Sequence, residues 1–150
     1  MALAKKFLNV MKACRVLSCD SNNTEVGYKY VSAAKLNAAV NKALVENGII
    51  SLASSRVIDT CSVETKGGEE TLAVVEVEIT LVDTESDETF KIRGAGSGID
   101  AGDKAIAKAQ TMAVKYAWKN SVLIADYDDD PDANKNTSAY ADTSFNDLPF

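Results

Sequence analysis

Four lysines, Lys104, Lys108, Lys115 and Lys119, stand out in the stretch GAGSGIDAGDKAIAKAQTMAVKYAWKN, Gly94 to Asn120. At about 100° per residue they fall within an arc of about 60°, one stripe along a helix. Most other positions are small or apolar, among them Ile106, Met112, Val114 and Trp118. The chemistry such a file can do is binding: ammonium groups in a row neutralise a polyanion and release its counterions. A solvated face of an ordinary amphipathic helix would show the same spacing. Lys91 and Arg93 share one face of the preceding strand, where they would extend the stripe across a sheet. Tyr28 and Tyr30 share a strand face with Lys29 on the other, a pattern that serves packing or base stacking.

Other chemistries find less support. The run GAGSGIDAGDK departs from GxGxxG, because Ile99 stands at the third glycine position, and from GxxxxGK[ST]. It reads as a flexible turn near a phosphate backbone, outside the helix. Asp126, Asp128 and Asp130 have calcium-loop spacing, but Pro131 replaces the required glycine and Thr137 the final glutamate. The chain has no histidine and no CxxC pair, which argues against zinc and against a nucleophile–histidine pair. Glu76 and Glu78 lie on one strand side and could hold Mg²⁺, with solvation the simpler account. No catalytic group, metal or cofactor is expected.

These side chains need a scaffold, and 150 residues with 46% hydrophobic and 25% charged content suit one domain. The net charge of −6 looks hostile to a polyanion until it is located. From Asp126 onward there are seven acids and one base, Lys135, so residues 1–125 are formally neutral. Three cysteines, an odd number, fit a reducing cytoplasm. MALAKKFLNVMKACRVL interleaves charges with apolar residues, the pattern of an amphipathic helix and not of a signal peptide.

Taken in order, residues 2–17 predict a helix, CDSNNTEVG a loop and Tyr28–Val31 a short strand. Ser32 caps a helix to Asn47 that Gly48 closes. Ile49–Asp59 and Thr60–Lys66 read as strands, and Gly67-Gly68 as a hairpin signal. Thr71–Asp83 alternates with Ala73, Val75, Val77, Ile79 and Leu81 on a buried face. Thr89–Gly94 gives the last strand, followed by a helix from about Asp100 or Ala101 to Asn120 and an apolar SVLIA that packs on the body. The order α-β-α-β-β-β-α makes an α+β domain with a mostly antiparallel meander over residues 1–125. Residues 126–150 read as a disordered acidic tail.

At this point a family likeness enters. The pattern D-K-A-x-x-K-A-x-T-x-A-x-K-Y from Asp103, with DYDDDPD after it and VGYKYVSAAKLNAAVNKALVENGI before it, resembles the essential-recombination-function (ERF) family of phage single-strand annealing proteins. A more distant likeness is to the eukaryotic ring-forming annealing proteins. The resemblance implies ATP-independent binding of single-stranded DNA and annealing of complementary strands by rings or filaments of many copies, in the host cytoplasm. It also implies DNA contact at Lys104, Lys115 and Lys119, with Lys108 following from the family pattern and Lys29 from the local Y-K-Y. The terminal SFNDLPF is similar to the acidic tip of bacterial single-stranded-DNA-binding proteins. That likeness implies a partner-binding tip of Asp147, Leu148, Pro149 and Phe150, with Phe150 filling a pocket on a host or phage recombination protein. A double-stranded-RNA module, with its meander and lysine-bearing last helix, and a metal-dependent nuclease are the competing expectations.

Overall fold

The computed structural model describes residues 2–24 and 27–125. Three helices and five strands follow in the order α1 (Ala2–Ala13), β1 (Ser21–Asn23), β2 (Tyr28–Tyr30), α2 (Ala33–Glu46), β3 (Ile49–Thr65), β4 (Gly68–Asp83), β5 (Thr89–Asp100) and α3 (Ala105–Val122). This is the α+β meander expected. Both sheets are antiparallel: a β1–β2 pair, and a three-stranded sheet in the order β3-β4-β5.

Local chemistry explains most boundaries. The Ser32 hydroxyl accepts from the Lys35 N–H at 3.1 Å and starts α2. Gly48, at φ +63°, turns the chain out of that helix. β4 alternates as its sequence demands, with Ala73, Val75, Val77, Ile79 and Leu81 all buried. Val122 and Ile124 are buried as well, and Ala125 bridges Val16 in parallel, so the apolar segment after α3 does pack on the body.

Five elements differ from the sequence reading. α1 stops at Ala13, and part of the expected loop forms β1. The stretch expected as two strands is one, β3, bent by a bulge at Ile58 between Val57 and Asp59. The glycine run is not a turn but the second half of β5, paired with β4 as far as Asp100 opposite Thr71. α3 accordingly begins four or five residues later than expected.

The glycines are there for the helix. Gly94, Gly96 and Gly98 recur every second residue, so all three face one side of β5. Ala105, Ala109, Ala113 and Ala117 recur every fourth residue along α3, each fully or almost fully buried. A Cβ at Gly94 would sit 2.5 Å from the Ala117 nitrogen, one at Gly96 2.7 Å from the Ala109 oxygen, and one at Gly98 2.6 Å from the Ala105 oxygen. Backbone lies directly on backbone, and any side chain on either partner would hold them apart.

α1 is tied to the far end of the sheet by charge. Asp83, 2% exposed, takes a hydrogen bond from Lys6 Nζ at 2.5 Å and others from the Glu85 N–H and the Ser86 hydroxyl. The Lys6 hydrogen bond chiefly holds the Asp83 carboxyl below its ordinary range. Phe7 and Phe90 meet edge to face beside this pair, 4.8 Å between centroids.

Candidate nucleic-acid interface

The four stripe lysines do occupy one helix, but they are not one open file. Lys104 is the N-cap residue of α3 and exposed, and Lys108 is exposed one turn on. Lys115 is only 5% exposed, with its ammonium 5.2 Å from the centre of the Tyr30 ring, a cation–π contact between α3 and β2. Lys119 is half-buried in the last turn. The helix stripe thus starts in solvent and becomes buried toward its end, where Lys115 meets Tyr30 of β2. Lys29 is exposed on β2, and the backbone of Tyr28 pairs with Asn23.

Where α3 begins, it lies beside the outer margin of β5, an edge of the sheet among the described residues. A groove of about 630 Å³ is lined there by Ser97 and Gly98 of β5 and by Lys104, Ala107, Lys108, Thr111 and Met112 of α3. Its floor is aliphatic and backbone, and both nearby ammonium groups belong to the stripe. Asp100 organises the rim. Its carboxylate accepts from the Gly102 N–H at 2.8 Å and the Lys104 N–H at 3.3 Å, and pairs with Lys108 at 2.5 Å. Lys108 also donates to the Ile99 carbonyl at 3.0 Å. The Lys108 hydrogen bond is the largest cause that lowers the Asp100 carboxyl to about 2, followed by the Gly102 N–H. Asp100 was not singled out from the sequence, although an aspartate just ahead of a helix start is a recognisable signal.

Lys91 and Arg93 do not extend the stripe. They alternate with Ile92 and Gly94, so they lie on the sheet face opposite α3. Both are engaged by Glu78, at 2.7 Å and 2.8 Å, and Glu76 pairs with Arg56 at 2.9 Å. These pairings lower the Glu78 carboxyl, Lys91 contributing most, and raise Arg93. The two glutamates are therefore partnered by cations, and no cluster of three potential metal ligands occurs among the described residues.

A groove with two cations at its mouth and an aliphatic floor could serve several anions, and the sequence over its whole length decides the family. The model of the ERF superfamily matches residues 3–147. The chain belongs to the ERF superfamily. This ERF protein is accordingly a member of a group of annealing proteins of DNA recombination. No curated protein matches it. Among the described residues, no helix of the ERF chain is long and apolar enough to cross a membrane. The calcium-like spacing at Asp126–Asp130 and the tip at Asp147–Phe150 lie outside the described residues.

Proposed function

We propose that this protein binds single-stranded DNA through the α3–β5 groove and anneals complementary strands without a nucleotide cofactor, as an assembly of several copies. The observation that supports it best is the groove itself, with Lys104 and Lys108 at its rim and, along its wall, the margin of β5 that no strand pairs among the described residues. Lys104, Lys108 and Lys119 supply phosphate contacts, and Lys29 adds one from the hairpin above. Lys115 acts from inside, holding Tyr30 and thereby the hairpin over the helix. Nothing in the groove offers a pattern of base-edge donors, so binding depends on charge and not on sequence. The strand stays extended with its bases available, and base pairing drives annealing. Lys91 and Arg93 stand outside this groove and serve the opposite face. The acidic tail recruits a host or phage recombination protein through Asp147, Leu148, Pro149 and Phe150, in the host cytoplasm.

The direct test is fluorescence anisotropy with a labelled oligonucleotide across a salt series, in parallel with a quenched-fluorophore annealing assay lacking ATP. Binding that ignores sequence, weakens steeply with salt and supports annealing is the result expected. Preference for duplex RNA over single-stranded DNA in competition, or cleavage of DNA with Mg²⁺ or Mn²⁺, would overturn the reading.

A further inference from the structure

The charge of this chain is divided unevenly along its length. Residues 1–125 are formally neutral, and the net charge of −6 belongs to residues 126–150. Five of the seven acids there form one run: Asp126, Asp128, Asp129, Asp130 and Asp132. The run starts from a fixed point. The Ala125 N–H donates to the Arg15 carbonyl at 3.2 Å, and the Ile124 N–H to the Lys119 carbonyl at 3.2 Å. The acids therefore leave the body beside the last turn of α3, at the more buried end of the lysine stripe. At the other end, Lys104 and Lys108 stand at the rim of the groove. Lys104 carries no ion pair among the described residues. Lys108 already holds a carboxylate, that of Asp100, at 2.5 Å, so this rim takes carboxylates as well as phosphates.

We propose that the run Asp126–Asp132 lies back along α3 of its own chain and occupies the groove until single-stranded DNA displaces it. This regulation rests on the single-strand site proposed above. The lengths agree. Lys104 and Lys119 are about 22 Å apart along the helix. Extended chain from Asp126 to Asp132 spans about 20 Å. Because Ala125 is tied at the C-terminal end of α3, the run reaches the groove only by lying antiparallel to the helix. Asp126 then falls near Lys119, and Asp130 and Asp132 near Lys108 and Lys104. Lys115, buried against Tyr30, takes no part. Pro131 disfavours helical geometry at Asp130, which suits an extended path. On that path Asp126, Asp128, Asp130 and Asp132 share one side. A carboxylate about every 6.6 Å resembles the phosphate spacing of an extended nucleic-acid strand, so the run copies the charge pattern of its competitor.

Attachment to the same chain supplies what exposed ion pairs lack. Each pair contributes little by itself. A short tether, however, holds the acids at an effective concentration on the order of millimolar. DNA prevails because one strand passes through the grooves of successive copies, whereas each run serves only its own. Salt loosens both ligands, so the competition weighs most at low ionic strength.

The test uses the full-length chain in three forms. They are wild type, the variant D126N/D128N/D129N/D130N/D132N, and a shuffled tail that spreads the same seven acids evenly over residues 126–150. In fluorescence anisotropy at about 50 mM salt, the Asn variant should bind single-stranded DNA at least about tenfold more tightly than wild type. At about 300 mM the gain should shrink below about threefold. The shuffled tail keeps the net charge, yet should bind within about threefold of the Asn variant. If it binds as weakly as wild type, the tail acts by overall repulsion and the proposal falls. Contact is read without DNA, by carbodiimide coupling and peptide mass spectrometry on mixed heavy- and light-isotope chains. Asp130 or Asp132 should join Lys104 or Lys108 within one chain, and excess oligonucleotide should suppress the link. Absence of the link, or links between chains, would overturn the proposal. If no form binds single-stranded DNA while the link still appears, the annealing function fails and the docked run stands as an intrachain contact.

Discussion

β5 and β3 border the same sheet, and both carry small residues on the side that faces α3, yet their fates are opposite. On β5, Gly94, Gly96 and Gly98 admit the backbone of α3 into direct contact. On β3, Ser51, Ala53 and Ser55 lie on the same face, Ser55 in the row of Gly94, but all three remain exposed. From the helix, Gln110 donates to the Ser55 hydroxyl at 3.1 Å. The contrast teaches that small residues in a strand have no meaning alone. What matters is whether a partner with a matching period exists, and only α3, with alanine every fourth position, provides one. The face of one edge strand is covered by the protein's own helix; that of the other stays exposed among the described residues.

Core truncation should separate the two margins most clearly. Leu81→Ala, at a fully buried β4 position, should lower stability by about 3–4 kcal/mol in urea denaturation. Leu52→Ala, 59% exposed on β3, should change it by less than about 0.5 kcal/mol. Comparable losses at both would erase the distinction. The small-residue rows sharpen it. Gly94→Ala should lower the unfolding free energy by about 2–3 kcal/mol, since its Cβ meets helix backbone that cannot yield. Ser55→Ala, in the same lateral row, should stay within about 0.5 kcal/mol.

Binding should report on the β5 margin next. Lys104→Gln and Lys108→Gln should each flatten the salt dependence of single-strand binding by about 0.7 in log–log slope. An unaltered slope in both would move the interface elsewhere. The smallest effect belongs to Asp100. Its folded carboxyl titrates at about 2 against an ordinary value near 3.8, so its contribution is present above about pH 4 and is lost as pH falls toward 2. Asp100→Asn should weaken folding at neutral pH and flatten the acid limb of a stability–pH curve. It also frees Lys108 from its carboxylate, and oligonucleotide affinity at neutral pH should rise about twofold. A fall would mean that the rim loop, and not the charge, is what Asp100 contributes.

Much of the scaffold was legible beforehand because it depends on local patterns. The alternation of Thr71–Asp83, the Ser32 cap and Gly48 each act within a few residues, where period and side-chain chemistry decide. The glycine run misled for the opposite reason. Read locally, GAGSG is turn chemistry; its two-residue period has meaning only beside the four-residue alanine period that follows. Matching those two periods was the signal that could have assigned strand and helix correctly. The groove is harder still, since Ser97, Ala107, Thr111 and Met112 carry no chemistry until β5 and α3 are laid together.

By itself, then, the sequence determined the element order, the buried face of β4, the family and the presence of four lysines on one side of a helix. Only the tertiary structure decided what those lysines face. Lys104 and Lys108 open on a groove, Lys115 goes under Tyr30, and Lys91 and Arg93 sit on the other side of the sheet. The physical reason is that helical period sets where a side chain points around its own axis, while exposure depends on which distant element packs there. The β1–β2 hairpin and the glycine rows of β5 make that choice, and neither is written into the lysine spacing.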